Sequence, residues 1–172
     1  MAIEVRRIRA DEWKEYKGIR LRGLESEPLA FMRSYYEEKG RPDEYWKRLV
    51  LQMAANPLDH MLVALRDGTM VGSTGLLYGF TAKTRHVATI CNVYVDNLYR
   101  GQGIARKLFQ AALDVAQGDR LVRKIKLTVN PAQEAAVQLY LSFGFVKTAV
   151  LEGELMVDNE LYDEWVMEKQ VS

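Results

Sequence analysis

Tyr99-Arg100-Gly101-Gln102-Gly103-Ile104-Ala105-Arg106-Lys107 is the stretch that decides the fold. Before it, His86 to Val95 is an apolar run with little alternation, the pattern of an interior strand buried on both faces. After it, Ile104, Leu108, Ala111 and Val115 form one stripe at helical spacing, with Ala105, Phe109 and Ala112 beside it. Gly118 fits the stop of that helix. The stretch is therefore a strand–loop–helix junction. Its glycines let the backbone turn tightly and approach a ligand closely. A helix start offers unpaired N–H groups and the positive end of a dipole, which suits phosphate. Arg100, Arg106 and Lys107 add local positive charge. The competing reading is a plain Gly-rich connection whose basic residues face water.

Working outward, the same alternation of strand and helix continues on both sides. Lys124 to Val129 places Ile125, Leu127 and Val129 on one face of a strand. Asn130-Pro131 with Gln133 then reads as a helix start, Asn as N-cap and Gln133 closing a capping box, with the helix running to about Ser142. Phe145 to Leu151 and Leu161 to Met167 read as the last strands, separated by a polar stretch that includes Asp158-Asn159. Upstream, Met61 to Leu65 and Met70 to Tyr78 read as a hairpin around Asp67-Gly68. Ile3 to Ile8 reads as a first strand, and helices are expected from Asp11 and from Pro42-Asp43. Glu25 to Gly40, with Pro28, reads largely as loop. There is no internal repeat, low-complexity tract or linker, so a single α/β (α+β) domain over residues 1–172 is expected.

Composition narrows the function. Twenty-four Lys plus Arg against 23 Asp plus Glu give a formal charge of +1. That excludes a broad basic face for nucleic acid or an anionic membrane, while leaving room for a small basic pocket. At 48% hydrophobic and 27% charged, the chain has globular composition. Cys91 is the one cysteine, which rules out an internal disulfide and any paired-cysteine metal motif. His60 and His86 lie far apart, so no metal site is expected. The N-terminus lacks a signal-peptide core, and no apolar run approaches the roughly 20 residues that span a bilayer. A cytoplasmic setting is the expectation.

Two phosphate-binding patterns fail on the residues. The dinucleotide fingerprint needs glycine or alanine where Arg106 stands, which counts against a nicotinamide-dependent oxidoreductase. The P-loop needs Gly-Lys-Ser/Thr, which the chain lacks.

What remains resembles the GNAT superfamily of acetyl-CoA-dependent N-acyltransferases. Their phosphate motif, Gln/Arg-x-x-Gly-x-Gly/Ala, stands here as Arg100-Gly101-Gln102-Gly103-Ile104-Ala105. Cys91-Asn92-Val93-Tyr94-Val95-Asp96 is similar to the family's central strand. Leu127 to Tyr140 followed by Gly144-Phe145 is similar to its second strand–helix segment. The likeness is specific over about residues 60–150. It implies a mixed, mostly antiparallel sheet of six to seven strands flanked by about four helices and splayed at the central parallel pair.

The resemblance also implies roles. Val93, Tyr94 and Val95 would offer backbone groups to the pantetheine arm and thioester of acetyl-CoA. The amides of Gln102 to Ala105, with Gly101, would hold the pyrophosphate, assisted by Arg100 and Arg106. Gln133 stands where the family has asparagine, so either Asn130 or Gln133 contacts the pantetheine. Tyr140 matches the family's tyrosine beside the departing thiolate, and a phenol of pKa about 10 can donate to that sulfur at neutral pH. On periodicity alone Tyr140 would be a core aromatic. The positions where some relatives carry a base on the central strand hold Thr89 and Cys91 here, neither of which suits that task. Asn92 could orient a water, with proton loss relayed to a carboxylate such as Glu25, Glu27 or Glu154. The acceptor is expected to be a small-molecule or peptide amine. The alternative is a non-catalytic acyl-CoA-binding or regulatory module of the same fold. A homodimer through a sheet edge or the C-terminal hairpin stays open.

Overall fold

The computed structural model describes residues 2–171. Its order is β1 (Ile3–Arg7), α1 (Trp13–Ser26), α2 (Tyr35–Lys39), α3 (Asp43–Ala55), β2 (His60–Arg66), β3 (Thr69–Tyr78), β4 (Val87–Val95), α4 (Ile104–Gly118), β5 (Lys124–Val129), α5 (Glu134–Ser142), β6 (Val146–Val157) and β7 (Glu160–Gln170). The seven strands form one sheet in the order β1-β2-β3-β4-β5-β7-β6. Every neighbouring pair is antiparallel except β4 with β5.

Two apolar layers sandwich the sheet, and the period of two in β2 deals residues to each. Leu62 and Ala64 join the cluster containing Leu108, Phe109 and Ala112 of α4. Met61, Val63 and Leu65 join Tyr16 and Ile19 of α1 and Trp46 and Val50 of α3. This two-sided burial is why the strand reads as an unbroken apolar run. On β5, Ile125, Leu127 and Val129 belong to the α4 cluster. Lys124, Lys126 and Thr128 therefore point to the opposite face.

The structure corrects three local expectations. The segment read as loop carries the fifth helix, α2, and α1 extends to Ser26. Ser34 accepts a hydrogen bond from the Glu37 N–H, while Glu37 accepts one from the Ser34 N–H at 2.8 Å. Ser-x-x-Glu at 34–37 was the readable signal for this capping box. Second, α5 begins at Glu134, not at Pro131. Asn130 spends its side chain elsewhere: Oδ1 accepts from the Ala132 N–H at 2.9 Å, and Nδ2 donates to the Asp163 carbonyl at 3.0 Å. That local turn competes with the helix and delays it. Third, β6 and β7 are longer than expected and meet at Asp158-Asn159, both with positive φ of 50° and 65°. Such a pair matches the twist of a two-residue hairpin, so the polar stretch is the hairpin's end.

Candidate active site

The site originates in a defect of pairing. β4 and β5 are hydrogen-bonded only where Val87, Ala88 and Thr89 face Lys124, Ile125 and Lys126. Beyond that the strands diverge. On its other edge β4 bulges against β3: Cys91 pairs with Gly75 and Tyr94 with Ser73, so Asn92 and Val93 together oppose Thr74. Asn92 takes a φ of 53°, a left-handed conformation that asparagine tolerates better than most residues. The bulge bends β4 away at the point where it separates from β5.

A cleft of about 330 Å³ occupies the gap. Val93, Tyr94 and Val95 line one wall, and Gln133, Ala136, Leu139 and Tyr140 the other. Gly101, Gly103, Ile104, Ala105 and Arg106 close one end. Gly101 and Gly103 have φ of 76° and 75°, which a side chain adopts only under strain. No atom lies within 4 Å of where a Cβ would stand on either, so the space beside the turn is open. Helix α4 starts there, and its first amides have no carbonyl one turn back. An open glycine turn, free amides and a basic rim fit a phosphorylated cofactor. A β-branched residue at position 103 adds roughly 1–2 kcal/mol of left-handed strain. The turn would shift to relieve that strain, and the new side chain would stand in the open space of the cleft, so Gly103→Val is expected to weaken binding of coenzyme A about tenfold in calorimetric titration, with the fold retained.

The basic side chains are placed unequally. The Arg100 guanidinium donates to the Val95 carbonyl at 3.1 Å and pairs with Glu27 at 2.8 Å. Arg106 stays at the rim, donating to Ser142 Oγ at 2.9 Å with its guanidinium over the Phe143 ring. Gln102 lies outside the cleft and accepts from Arg66. Gln133 lines the cleft and donates to Glu27 at 3.3 Å. Glu27, at the end of α1, therefore bridges both walls.

Tyr140 is 6% exposed, its ring packed on Phe109 at 4.9 Å between centroids. Burial pushes its hydroxyl far above the usual phenol range, so the group stays protonated. A second, smaller cavity adjoins the first and shares Ala30, Val93, Gln133, Ala136 and Tyr140 with it. It opens on the face of Cys91, Asn92, Thr128 and Glu164. Asn130 and Asn92 line this second cavity, not the cleft. The Asn92 side chain accepts from Arg20 at 2.9 Å and donates to Cys91 Sγ at 3.4 Å. Burial pushes the Cys91 thiol up to about 11. At pH 8 roughly one molecule in 10³ then carries the thiolate. Native protein is expected to resist iodoacetamide at that pH, whereas the unfolded chain alkylates, as intact-mass measurement will show.

Glu164 was not among the carboxylates singled out from the sequence. It is 7% exposed at a strand position that points inward. An acid at an inward strand position was the available signal, but only the strand's true register reveals it. Burial raises its carboxyl above the usual range, opposed by a hydrogen bond with Thr128 and reinforced by Glu154. Among the described residues there is no group of three or more His, Cys, Asp or Glu that could hold a metal ion, and no helix long and apolar enough to cross a membrane.

Residues 19–145 match the acetyltransferase (GNAT) family, and the chain belongs to it. The N-alpha-acetyltransferase RimI of Mycobacterium tuberculosis is 33% identical over 97 residues, which are 56% of this chain and 58% of that relative. The L-amino acid N-acetyltransferase AaaT of Escherichia coli is 25% identical over 138 residues, 80% of this chain and 81% of that relative. A GNAT-family acetyltransferase from Streptococcus pneumoniae superposes with a TM-score of 0.84 at 20% identity, covering 99% of this chain and all of that one. Fold class, seven-stranded sheet and splayed parallel pair agree with the family.

Proposed function

We propose that this chain is an N-acetyltransferase that moves the acetyl group of acetyl-CoA to a primary amine by direct attack in a ternary complex. The observation that carries this reading is the gap between β4 and β5, with the open glycine turn at one end and Tyr140 on its wall. Acetyl-CoA, when bound, supplies an acetyl group activated as a thioester. The amides at the start of α4 hold negative charge through unpaired N–H groups and the helix dipole. Backbone N–H groups of β4 beyond Thr89, freed from pairing with β5, stabilise the oxyanion. The Tyr140 hydroxyl donates to the sulfur that accepts charge, and the apolar packing around it strengthens that hydrogen bond. Asn92, beside the second cavity, orients a water near the incoming amine.

The acceptor enters from the opposite face. The relatives named above act, by their names, on an α-amino group and on an L-amino acid. An L-amino acid, a short peptide with a free α-amino group, 1,4-diaminobutane and n-butylamine form a suitable panel. Binding of acetyl-CoA is first established by calorimetry, and thiol release is then followed with each amine. Amine-dependent release is the expected result. Binding without release from any of the four would favour an acyl-CoA-binding module instead.

A further inference from the structure

The structure assigns a proton-accepting role to Glu164, which we propose receives the acceptor's ammonium group and takes its proton as the amine attacks. This inference rests on the acetyl-transfer reading above and deepens it.

The placement comes from strand register. On β7, Trp165 and Met167 pack into the α4 cluster, so Glu164 and Val166 point to the other face. Thr128 pairs with Val166 in the β5–β7 ladder and points to that same face. There α1 and α3 cover β2 and β3, and Glu164 stands past them, across the gap. It lines the cavity that shares Tyr140 with the cofactor cleft. An acid on one side of the reacting centre and a phenol on the other is the arrangement that two proton transfers need.

The charges around it favour a cation. From β5 Thr128 hydrogen-bonds to the carboxyl, from β6 Glu154 faces it, and Tyr140 of α5 and Cys91 of β4 line the same cavity. No arginine or lysine among the described residues lines that cavity. A carboxylate so buried, without a cationic partner, is costly unless a ligand supplies one. Desolvation raises its carboxyl, which makes it a better base toward an ammonium. β6 also bulges at this point, where Leu151 pairs with Glu164 and Leu155 with Tyr162, and Gly153 N–H donates to Asp163 at 2.9 Å. The bulge carries Glu154, which lines a separate groove with Glu25 and Phe31 and adds its negative charge to the field at Glu164.

The ammonium gives one proton to Glu164, which passes it to water. The nitrogen lone pair forms the N–C bond, and the C–S bond breaks with its electron pair on sulfur. The second nitrogen proton ends on that sulfur by way of the Tyr140 hydroxyl. The products are an amide, a thiol and one proton released to solvent.

The test compares wild type, Glu164→Gln and Thr128→Ala with the four amines of the panel. Glu164→Gln keeps the shape and removes the charge. Its kcat/KM is expected to fall about 10²-fold at pH 7.5. The deficit is expected to shrink as pH approaches the amine's own pKa, because free amine then no longer needs a base. Calorimetric affinity for acetyl-CoA should change less than twofold, and amine binding to the coenzyme A complex should weaken at least tenfold. Thr128→Ala, at an exposed position, removes a hydrogen bond to the carboxylate. It should move the acid limb of the wild-type pH profile upward. An active wild type with Glu164→Gln within threefold of it at every pH, or a Thr128→Ala profile that does not move, overturns the assignment alone. A wild type that binds acetyl-CoA but releases no thiol with any amine overturns the acetyl-transfer reading and this inference with it.

Discussion

Tyr140→Phe is expected to lower kcat about 10²-fold while the affinity for acetyl-CoA stays within twofold. The size is that of losing one positioned proton donor. The substitution is unusually clean here. The ring lies against Phe109 and Phe145, with centroids 4.9 and 6.5 Å away, and phenylalanine fills the same space. Only the hydroxyl disappears. Because burial holds that hydroxyl protonated well beyond neutral pH, the wild-type rate should show no limb from Tyr140 in the working range. Steady-state kinetics at saturating amine, paired with calorimetric titration of acetyl-CoA, separates the two quantities. An unchanged kcat would remove Tyr140 from the mechanism and leave it as a core aromatic, the reading that helical periodicity alone would give.

Phe109→Ala is expected to cost about 3–5 kcal/mol of stability, the usual penalty for deleting a large ring from a closed core. Phe109 is fully buried, and its ring touches those of Tyr140, Phe143 and Phe145. It thus joins α4 to α5 and to the start of β6. Collapse around the void is restricted, since three of its neighbours are themselves rigid rings. For a domain of this size each kcal/mol moves the thermal midpoint by about 2–4 °C, so a drop of roughly 10 °C is expected. Urea unfolding should show a lower midpoint at unchanged slope. A loss below 1 kcal/mol would mean that the aromatic group repacks, contrary to the geometry above.

Local chemistry was legible and long-range placement was not. Gly101 and Gly103 announce left-handed turns because only glycine makes them cheaply, and Asp67-Gly68 announces a hairpin for the same reason. The stripe through Ile104 and Leu108 announces α4 because burial follows its period. Asn130 misled because two local uses compete for one side chain, a helix cap and a tight turn. The winner was decided by the Asp163 carbonyl, 33 positions away in the chain. Glu164 was hidden for a related reason. Its meaning depends on the register of β7 against β5 and on a gap that is defined by missing hydrogen bonds. Residue patterns report bonds that form; a pair of strands that part after three residues leaves no periodicity behind. The bridge from Glu27 to Arg100 and Gln133 is equally a product of topology, linking positions far apart in the chain.

The parting of β4 from β5 also sets a limit on how far this protein can be stabilised. The sheet is two blocks, β1 to β4 and β5 to β6, stitched by three facing residue pairs and backed by helical packing. Continuing the ladder past Thr89 and Lys126 would add backbone hydrogen bonds and close the weakest seam of the molecule. It would also seal the cleft. Substitutions that tighten this seam are therefore ones selection for activity would discard, however much they raise the melting point. Gains in robustness have to come from elsewhere, such as the outer strands or the α1–α3 layer, where order and access do not compete.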